Sequence, residues 1–139
     1  MAKTRVLFIC TANAARSQMA EGLLRARYGD RYEVYSAGTR QSKVSMRATM
    51  VMQEIGIDIS GHQSKTLASM SGISFDLAVT LCDNAHAVCP VVPNAKKTIH
   101  HGFADPHLTM GTEEETLDGY RRVRDEIATW IDIIFGPAK

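Results

Sequence analysis

The hydrophobic residues of the chain recur with two periods, and these predict an alternation of strands and helices. Runs of apolar, β-branched and aromatic residues predict four strands, over residues 4–10, 32–37, 75–81 and 97–101. Apolar residues at helical spacing predict helices over residues 17–28, from residue 46 and from residue 112. Because strands and helices alternate, we expect a three-layer α/β fold in which helices flank a four-stranded, mostly parallel sheet.

Capping residues predict where two of the helices begin or end. Thr112 is followed by Glu115, which is the pattern of a capping box at the start of the last helix. Gly56 stands where a glycine would end the second helix. The residues of that second helix expected to face the core are Met46, Met50, Val51 and Ile55.

Length, charge and cysteine content restrict the class of protein. The 139 residues are expected to form a single domain over residues 1–139 that acts as a monomer. Sixteen Lys and Arg against fifteen Asp and Glu give no basic field, so neither nucleic acid nor a membrane is an expected partner. The apolar run near the N-terminus is too short for a signal peptide or a membrane span. Three cysteines, an odd number, favour reduced thiols and a cytoplasmic location.

The candidate binding site is the loop after the first strand, where a cysteine, five small or polar residues and an arginine follow one another. Backbone N–H groups at a helix start can hold a tetrahedral oxyanion. The Arg16 guanidinium can grip two anion oxygens, and its field would hold Cys10 as a nucleophilic thiolate. The alternative is that Cys10 is a small buried hydrophobic residue and Arg16 an ordinary charge. The residues expected to bind the oxyanion are Thr11, Ala12, Asn13, Ala14, Ala15, Arg16 and Ser17.

Further candidate catalytic residues lie after other predicted strands. Ligands of parallel sheets bind beyond the carboxyl ends of the strands, so Cys10, Cys82 and Asp105 should meet at one edge. Asp105, which precedes Pro106, is the candidate general acid. The alternative is that Asp105 and Pro106 only form a turn.

Hydrolysis of a phosphate ester does not need the pair Cys82 and Cys89. On a straight helix the two residues would stand about 10.5 Å apart along the axis. A disulfide needs Cα atoms within about 7 Å of each other, so bonding requires a looped segment or one that unwinds. One alternative is that both are buried free cysteines; another is a zinc site with His100 and His101. Adjacent histidines on a strand point to opposite faces, so we expect no metal site.

Six segments match a known family as a set: residues 10–22, 36–39, 56–62, 80–85, 89–90 and 103–106. Through them the chain resembles the thioredoxin-coupled arsenate reductases, which share the low-molecular-weight tyrosine phosphatase fold. The Cys-x5-Arg loop and the Asp-Pro pair are typical of the whole superfamily, whereas Cys82 and Cys89 are typical of the reductases. The resemblance implies arsenate reduction without a tightly bound cofactor.

The resemblance also implies a cascade of three cysteines. Cys10 attacks arsenate held by the loop amides and Arg16, while Asp105 protonates the departing oxygen. Cys82 then attacks the sulfur of Cys10, which releases arsenite and leaves a Cys10–Cys82 disulfide. Cys89 attacks Cys82, so that the disulfide moves outward to where thioredoxin, the expected electron donor, reduces it.

Supporting residues are implied in the same way. Asn13 braces the loop, and Ser17 donates a hydrogen bond to the Cys10 thiolate. Family members that bind potassium beside the loop use an asparagine, a glutamate, a threonine and an aspartate. Here Asn13 and Glu21 remain, while Gln63 and Lys65 replace the threonine and the aspartate. We hypothesise that the Lys65 ammonium takes the place of the cation beside Glu21 and Asn13.

Two other functions are compatible with the sequence. A phosphatase for phosphotyrosine or small phosphomonoesters would use Cys10, Arg16 and Asp105 and leave the other cysteines without a role. His107 stands where tyrosine phosphatases carry aromatic residues, so activity toward phosphotyrosine is expected to be weak. A non-enzymatic oxyanion or redox sensor would use a bond between the second and third cysteines to alter a partner surface.

Overall fold

A sheet of four parallel strands forms the centre of the fold. The computed structural model describes residues 3–10, 13–40, 42–81, 92, 94–104, 106 and 111–136. In chain order the elements are β1 (Thr4–Cys10), α1 (Arg16–Tyr28), β2 (Tyr32–Gly38), α2 (Met46–Gln53), a short 3-10 helix (Leu67–Met70), β3 (Phe75–Thr80), β4 (Ala95–His100) and α3 (Glu113–Phe135). All the predicted strands and helices are present, and the ends that were predicted lie within two residues of those observed.

The strands are ordered β2-β1-β3-β4, and every neighbouring pair is parallel. This confirms the predicted sheet. β1 lies inside it, and Val6 through Ile9 have no exposed surface, as the continuous apolar run predicted. In the register of the sheet, Cys10 is paired with Gly38 of β2, and Ile9 with Thr80 of β3. The carboxyl ends of all four strands therefore lie at the same edge.

Alternate side chains of β1 enter different cores. Val6, Phe8 and Cys10 face the larger core, to which α1, α2 and α3 contribute. Leu7 and Ile9 face the smaller core, which the 3-10 helix covers. Helical segments therefore cover both faces of the sheet. The two-residue period of the strand places Cys10 on the face that carries α1.

The buried face of α2 differs from the predicted one. Val51 is buried as expected, but Met46 is 78% exposed, Met50 44% and Ile55 39%. The residues of this helix that enter the core are Ala48, Val51 and Met52. The prediction was wrong because the apolar residues of this helix fit helical spacing in two ways. The stripe that begins with a small alanine lets the helix approach its neighbours more closely, and packing selects it.

The predicted caps are confirmed. At the start of α3, the Thr112 hydroxyl accepts a hydrogen bond from the Glu115 backbone N–H at 3.1 Å, and the Glu115 carboxylate accepts one from the Thr112 N–H at 3.1 Å. After α2, Gly56 has a φ of +79°, which suits glycine. Neither α3 nor any other helix in the described ranges is long and apolar enough to cross a lipid bilayer.

Candidate active site

The predicted nucleophile lies at the end of β1, against the first turn of α1. Cys10 is 2% exposed, and its Sγ lies 2.9 Å from Ser17 Oγ. Cys10 has a free thiol, and it is the one cysteine that falls within the described ranges. A hydroxyl at this distance can donate a hydrogen bond to a thiolate, which is the role expected of Ser17.

The turn from β1 into α1 is held by Asn13. Its φ of +52° lies in the left-handed region, which asparagine adopts more readily than most residues. Its buried Nδ2 donates to Ser17 Oγ at 2.7 Å. Its Oδ1 accepts from the backbone N–H of Lys65 at 2.8 Å and from Gln18 Nε2 at 2.9 Å. These contacts tie the loop to α1 and to the segment that carries Lys65.

The Arg16 side chain is anchored at the carboxyl edge of the sheet. It is 6% exposed, and its Nη1 donates to the carbonyl oxygens of Phe103 at 3.1 Å and Leu81 at 3.5 Å. A cation at a helix start is opposed by the helix dipole, and these two carbonyl dipoles offset that effect. The guanidinium is thereby held beside the loop that follows Cys10.

The segments that follow β3 and β4 meet beside the end of β1. The backbone N–H of Leu81 donates to the carbonyl of Ile9 at 2.8 Å, and that of Phe103 donates to the carbonyl of Leu81 at 3.3 Å. The chain therefore runs next to β1 directly before Cys82. The predicted site residues Thr11, Ala12, Cys82, Cys89 and Asp105 lie outside the described residues.

Beneath the loop, Glu21 is the centre of a charged cluster. Glu21 is 5% exposed, and it accepts a hydrogen bond from the Ser36 hydroxyl. The Lys65 ammonium lies 3.9 Å from its Oε1, as hypothesised. However, Arg25 lies closer, with its Nη2 2.7 Å from Glu21 Oε2. The group of Lys65 that reaches Asn13 is the backbone N–H, not the ammonium.

Sequence reasoning missed three members of this cluster, namely Gln18, Arg25 and His62. His62 Nδ1 lies 2.9 Å from Gln18 Oε1, and its Nε2 lies 3.3 Å from Arg25 Nη1. Burial lowers the pKa of His62; Glu21 opposes this effect, and the Arg25 charge adds to it. The spacing of Glu21 and Arg25, four residues apart on one helix, was the available signal for that ion pair.

On its other side, Cys10 borders a cavity of about 640 Å³. Ala14, Ala15 and Arg16 contribute to the cavity from the loop and α1. The wall contributed by α2 and the segment before it includes the basic Arg40, Lys43 and Arg47 and the apolar Val44, Met46 and Met50, together with two serines. The exposed methionines of α2 therefore line a space beside Cys10.

The two histidines that were weighed as zinc ligands, His100 and His101, contact other side chains. His100 lies 2.7 Å from Thr80 Oγ1 through its Nδ1, and the ring of His101 stacks on Trp130 with centroids 5.1 Å apart. Across the residues that the structure describes, no group of three or more His, Cys, Asp or Glu side chains could hold a metal ion.

Comparison with known proteins gives a consistent result. Residues 5–134 match the family described as low molecular weight phosphotyrosine protein phosphatase. The chain is 47% identical over 127 residues to an arsenate reductase of Halalkalibacterium halodurans, with 91% of each protein covered. A solved arsenate reductase in its phosphate-binding state has a TM-score of 0.80 at 27% identity, covering 94% of this chain and 95% of that one.

A second solved structure, a thioredoxin-dependent arsenate reductase of Corynebacterium glutamicum, has a TM-score of 0.63 at 27% identity. That match covers 94% of this chain and 63% of the other. The family match, the relatives and the solved structures agree with one another. The chain belongs to the low-molecular-weight phosphotyrosine protein phosphatase family and, within it, to the arsenate reductases.

Proposed function

We propose that this protein reduces arsenate to arsenite and that thioredoxin returns it to the reduced form. The relatives described above are arsenate reductases, one of which is thioredoxin-dependent. The protein would work as a single-domain monomer in the cytoplasm, where thiols are kept reduced. No tightly bound cofactor is required, because thiols supply the electrons.

The observation that carries the proposal is the hydrogen bond from Leu81 N–H to the Ile9 carbonyl, 2.8 Å long. Cys10 directly follows one of these bonded residues in the sequence, and Cys82 directly follows the other. Neighbouring strands lie about 4.8 Å apart. This supports a reaction between the two sulfurs, for which a phosphatase has no use.

In the first step, the loop amides and Arg16 hold arsenate, and the Cys10 thiolate attacks the arsenic. Ser17 donates a hydrogen bond to the thiolate before attack. Asp105 gives a proton to a hydroxyl of arsenate, which leaves as water. The product carries a bond between the Cys10 sulfur and arsenic(V).

In the second step, the Cys82 thiolate attacks the Cys10 sulfur, and the electrons of the sulfur–arsenic bond stay on arsenic. Arsenic(V) becomes arsenic(III), which leaves as arsenite, and the two cysteines are left as a disulfide. Cys89 then attacks Cys82 and releases the Cys10 thiolate. The dithiol of thioredoxin reduces the Cys82–Cys89 disulfide and supplies the two electrons.

We also propose that the charges of Lys65 and Arg25 beside Glu21 support the loop without an added cation. The ammonium and the guanidinium lie 3.9 Å and 2.7 Å from the carboxylate. Turnover measured in potassium chloride should therefore equal turnover in sodium chloride at the same ionic strength. Strong activation by potassium alone would contradict this role.

A second candidate function is hydrolysis of phosphomonoesters. It is favoured by the cavity of about 640 Å³ beside Cys10, which is larger than a bare oxyanion needs. Such a reaction would use Cys10 and Arg16 and would not involve Cys82 or Cys89.

Separate Cys10→Ser, Cys82→Ser and Cys89→Ser variants distinguish these functions. Arsenite release is measured with thioredoxin, thioredoxin reductase and NADPH, and hydrolysis of an aryl phosphate is measured in parallel. We expect each substitution to lower arsenite turnover about 100-fold or more, because the cascade needs every thiol.

Full arsenite turnover by Cys82→Ser or Cys89→Ser would overturn the cascade. Phosphate ester hydrolysis that is lost only with Cys10→Ser, in a protein that releases no arsenite, would instead establish the phosphatase. A sensor would show neither activity.

A further inference from the structure

A continuous chain of hydrogen bonds runs from the exposed side of α1 to the sulfur of Cys10. In order, its members are Arg25, His62, Gln18, Asn13, Ser17 and Cys10. The successive distances are 3.3, 2.9, 2.9, 2.7 and 2.9 Å. We propose that this relay aims the Ser17 hydroxyl at Cys10, and that Gln18 and His62 are positioning residues for the nucleophile.

The direction of the relay at Gln18 follows from its partners. Gln18 Nε2 lies 3.1 Å from the Asn13 backbone oxygen, 2.9 Å from Asn13 Oδ1 and 3.0 Å from the Gln63 backbone oxygen. Carbonyl oxygens only accept, so the atom that faces them is the amide nitrogen. Gln18 Oε1 is left facing His62, and His62 Nδ1 must carry a hydrogen and donate it.

The same reasoning fixes the next two bonds. Asn13 Oδ1 accepts from two donors, the Gln18 amide and the backbone N–H of Lys65. Asn13 Nδ2 therefore faces Ser17 and donates to its oxygen at 2.7 Å. Ser17 Oγ accepts from Asn13, and when Cys10 is a thiolate, which can only accept, the Ser17 hydrogen is donated to the sulfur.

At its outer end the relay needs a neutral His62. His62 Nε2 can accept from the Arg25 guanidinium only when that nitrogen carries no hydrogen. Burial lowers the pKa of His62, and the charges of Arg25 and Lys65 lower it further, while Glu21 and Asp58 raise it. The half-buried imidazole is therefore kept in the form that the relay uses.

The relay matters because an asparagine amide can be turned over. If Asn13 turned, its Oδ1 would face Ser17, and the hydroxyl would donate to that oxygen instead of to the sulfur. Gln18 opposes this arrangement together with the Lys65 backbone N–H, since both donate to Asn13 Oδ1, and His62 holds Gln18 in place. In addition, aligned hydrogen bonds polarise one another, which strengthens the final bond to sulfur.

This inference rests on the part of the proposed function that makes Cys10 the nucleophile. It is tested without arsenate or thioredoxin, in a Cys82→Ser and Cys89→Ser background in which Cys10 is the sole thiol. The rate of Cys10 alkylation by iodoacetamide is measured against pH. Thioredoxin-coupled turnover, measured separately in the chain with all three cysteines, tests the proposed function itself.

In that background, Gln18→Met removes the amide and keeps the length of the side chain. We expect alkylation near pH 7 to slow about threefold or more, because the thiolate loses part of its hydrogen bonding. The half-maximal rate should move to higher pH, and the plateau rate at high pH should be retained. Gln53→Met, at the exposed end of α2, is the matched control and should leave the profile unchanged.

A pair of His62 variants tests the outer half of the relay. His62→Leu has a similar size and no donor, so it should move the profile in the same direction. His62→Asn offers an amide nitrogen near the position of Nδ1 and should restore most of the original profile. Because the members act in series, adding His62→Leu to Gln18→Met should cause little further shift.

An unchanged half-maximal pH in folded His62→Leu and Gln18→Met proteins would overturn the relay. So would additive shifts in the double variant, or a change confined to the plateau rate, which indicates altered access to the sulfur. If Gln18→Met does not fold, the two His62 variants decide the question alone. If the alkylation profiles shift as expected but the chain with all three cysteines shows no arsenate turnover, the relay is supported and the proposed function is overturned.

Discussion

The side chains on the two sides of Cys10 differ in how firmly their contacts hold them. Toward Glu21, buried Asn13, Ser17 and Gln18 bond to one another in a single arrangement. Toward the cavity, α2 presents Met46 at 78% and Met50 at 44% exposure. One side holds Cys10 through hydrogen bonds, whereas the other leaves room beside it.

This difference indicates which substitutions the molecule tolerates. A buried polar group that loses its partner keeps the full cost of its desolvation, about 1–3 kcal/mol. An exposed methionine that is truncated loses little, since it has few neighbours. Variants on the two sides of Cys10 should therefore differ in both arsenate turnover and stability.

The largest effect is expected from Arg16→Lys. The donors of an ammonium all lie on one nitrogen, so lysine lacks the planar fork with which Arg16 can grip two anion oxygens while its Nη1 bonds the Phe103 carbonyl. We expect kcat/KM for arsenate to fall about 1,000-fold. Arg47→Lys is the matched control: it lines the cavity but pairs with Glu113 at 2.8 Å, so a change within about twofold is expected. Equal losses in the two variants would contradict the assignment of Arg16.

Asn13→Ala should have the next largest effect. It removes the bonds to Ser17 and Lys65 and places a side chain that prefers negative φ at +52°. We expect unfolding free energy measured in urea to fall by about 2–3 kcal/mol. Asn13→Gly tolerates the backbone angle, so it should regain about 1 kcal/mol without recovering turnover. Recovery of turnover in the glycine variant would show that the side chain does not matter.

A moderate effect is expected from pH through His62. Burial lowers its pKa in the folded protein, so below the unfolded pKa the unfolded chain binds a proton that the folded chain does not. Stability from this group is complete above about pH 6.5 and is lost as the pH falls below it. The free energy of unfolding should decline less between about pH 7 and pH 5 in His62→Asn than in the wild type. If the free energy of unfolding declined equally in both proteins, His62 would not be the source of the pH dependence.

The smallest effect is expected on the cavity side. Met46→Ala and Met50→Ala should change unfolding free energy by less than about 0.5 kcal/mol and leave arsenate turnover within about twofold. Aryl phosphate hydrolysis is measured on the same samples, because the aromatic group of that substrate would occupy the cavity. A large loss of arsenate turnover would show that the two sides of Cys10 do not differ as described.

Much of the fold could be predicted because the strands have simple patterns. The continuous apolar run of β1 identified an inner strand, and its end placed Cys10 at the carboxyl edge of the sheet. The stripe of α2 was mispredicted because periodicity alone could not choose between two faces that fit equally well. Only contacts with α1 and α3 select the face that carries Ala48 and Met52.

The parts of the site that could be predicted are those formed by residues close together in the sequence. Cys10, Asn13 and Ser17 lie within one short loop and the helix turn after it, so the motif specified their meeting. The Gln18–His62 bond joins residues 44 apart in sequence, and no local pattern encodes it. Lys65 was predicted beside Glu21. That Arg25 is the nearer partner follows from the side-chain rotamers of the packed helix, which the sequence does not give.

The central claim is that the Cys10 sulfur passes from arsenic to Cys82. The most direct measurement uses a Cys89→Ser variant, reduced and then mixed with arsenate in the absence of thioredoxin. We predict about one arsenite released per chain, with the Cys10–Cys82 disulfide identified by peptide mass spectrometry. Arsenite release without that disulfide, or no release from a folded protein whose Cys10 still reacts with iodoacetamide, would contradict the account.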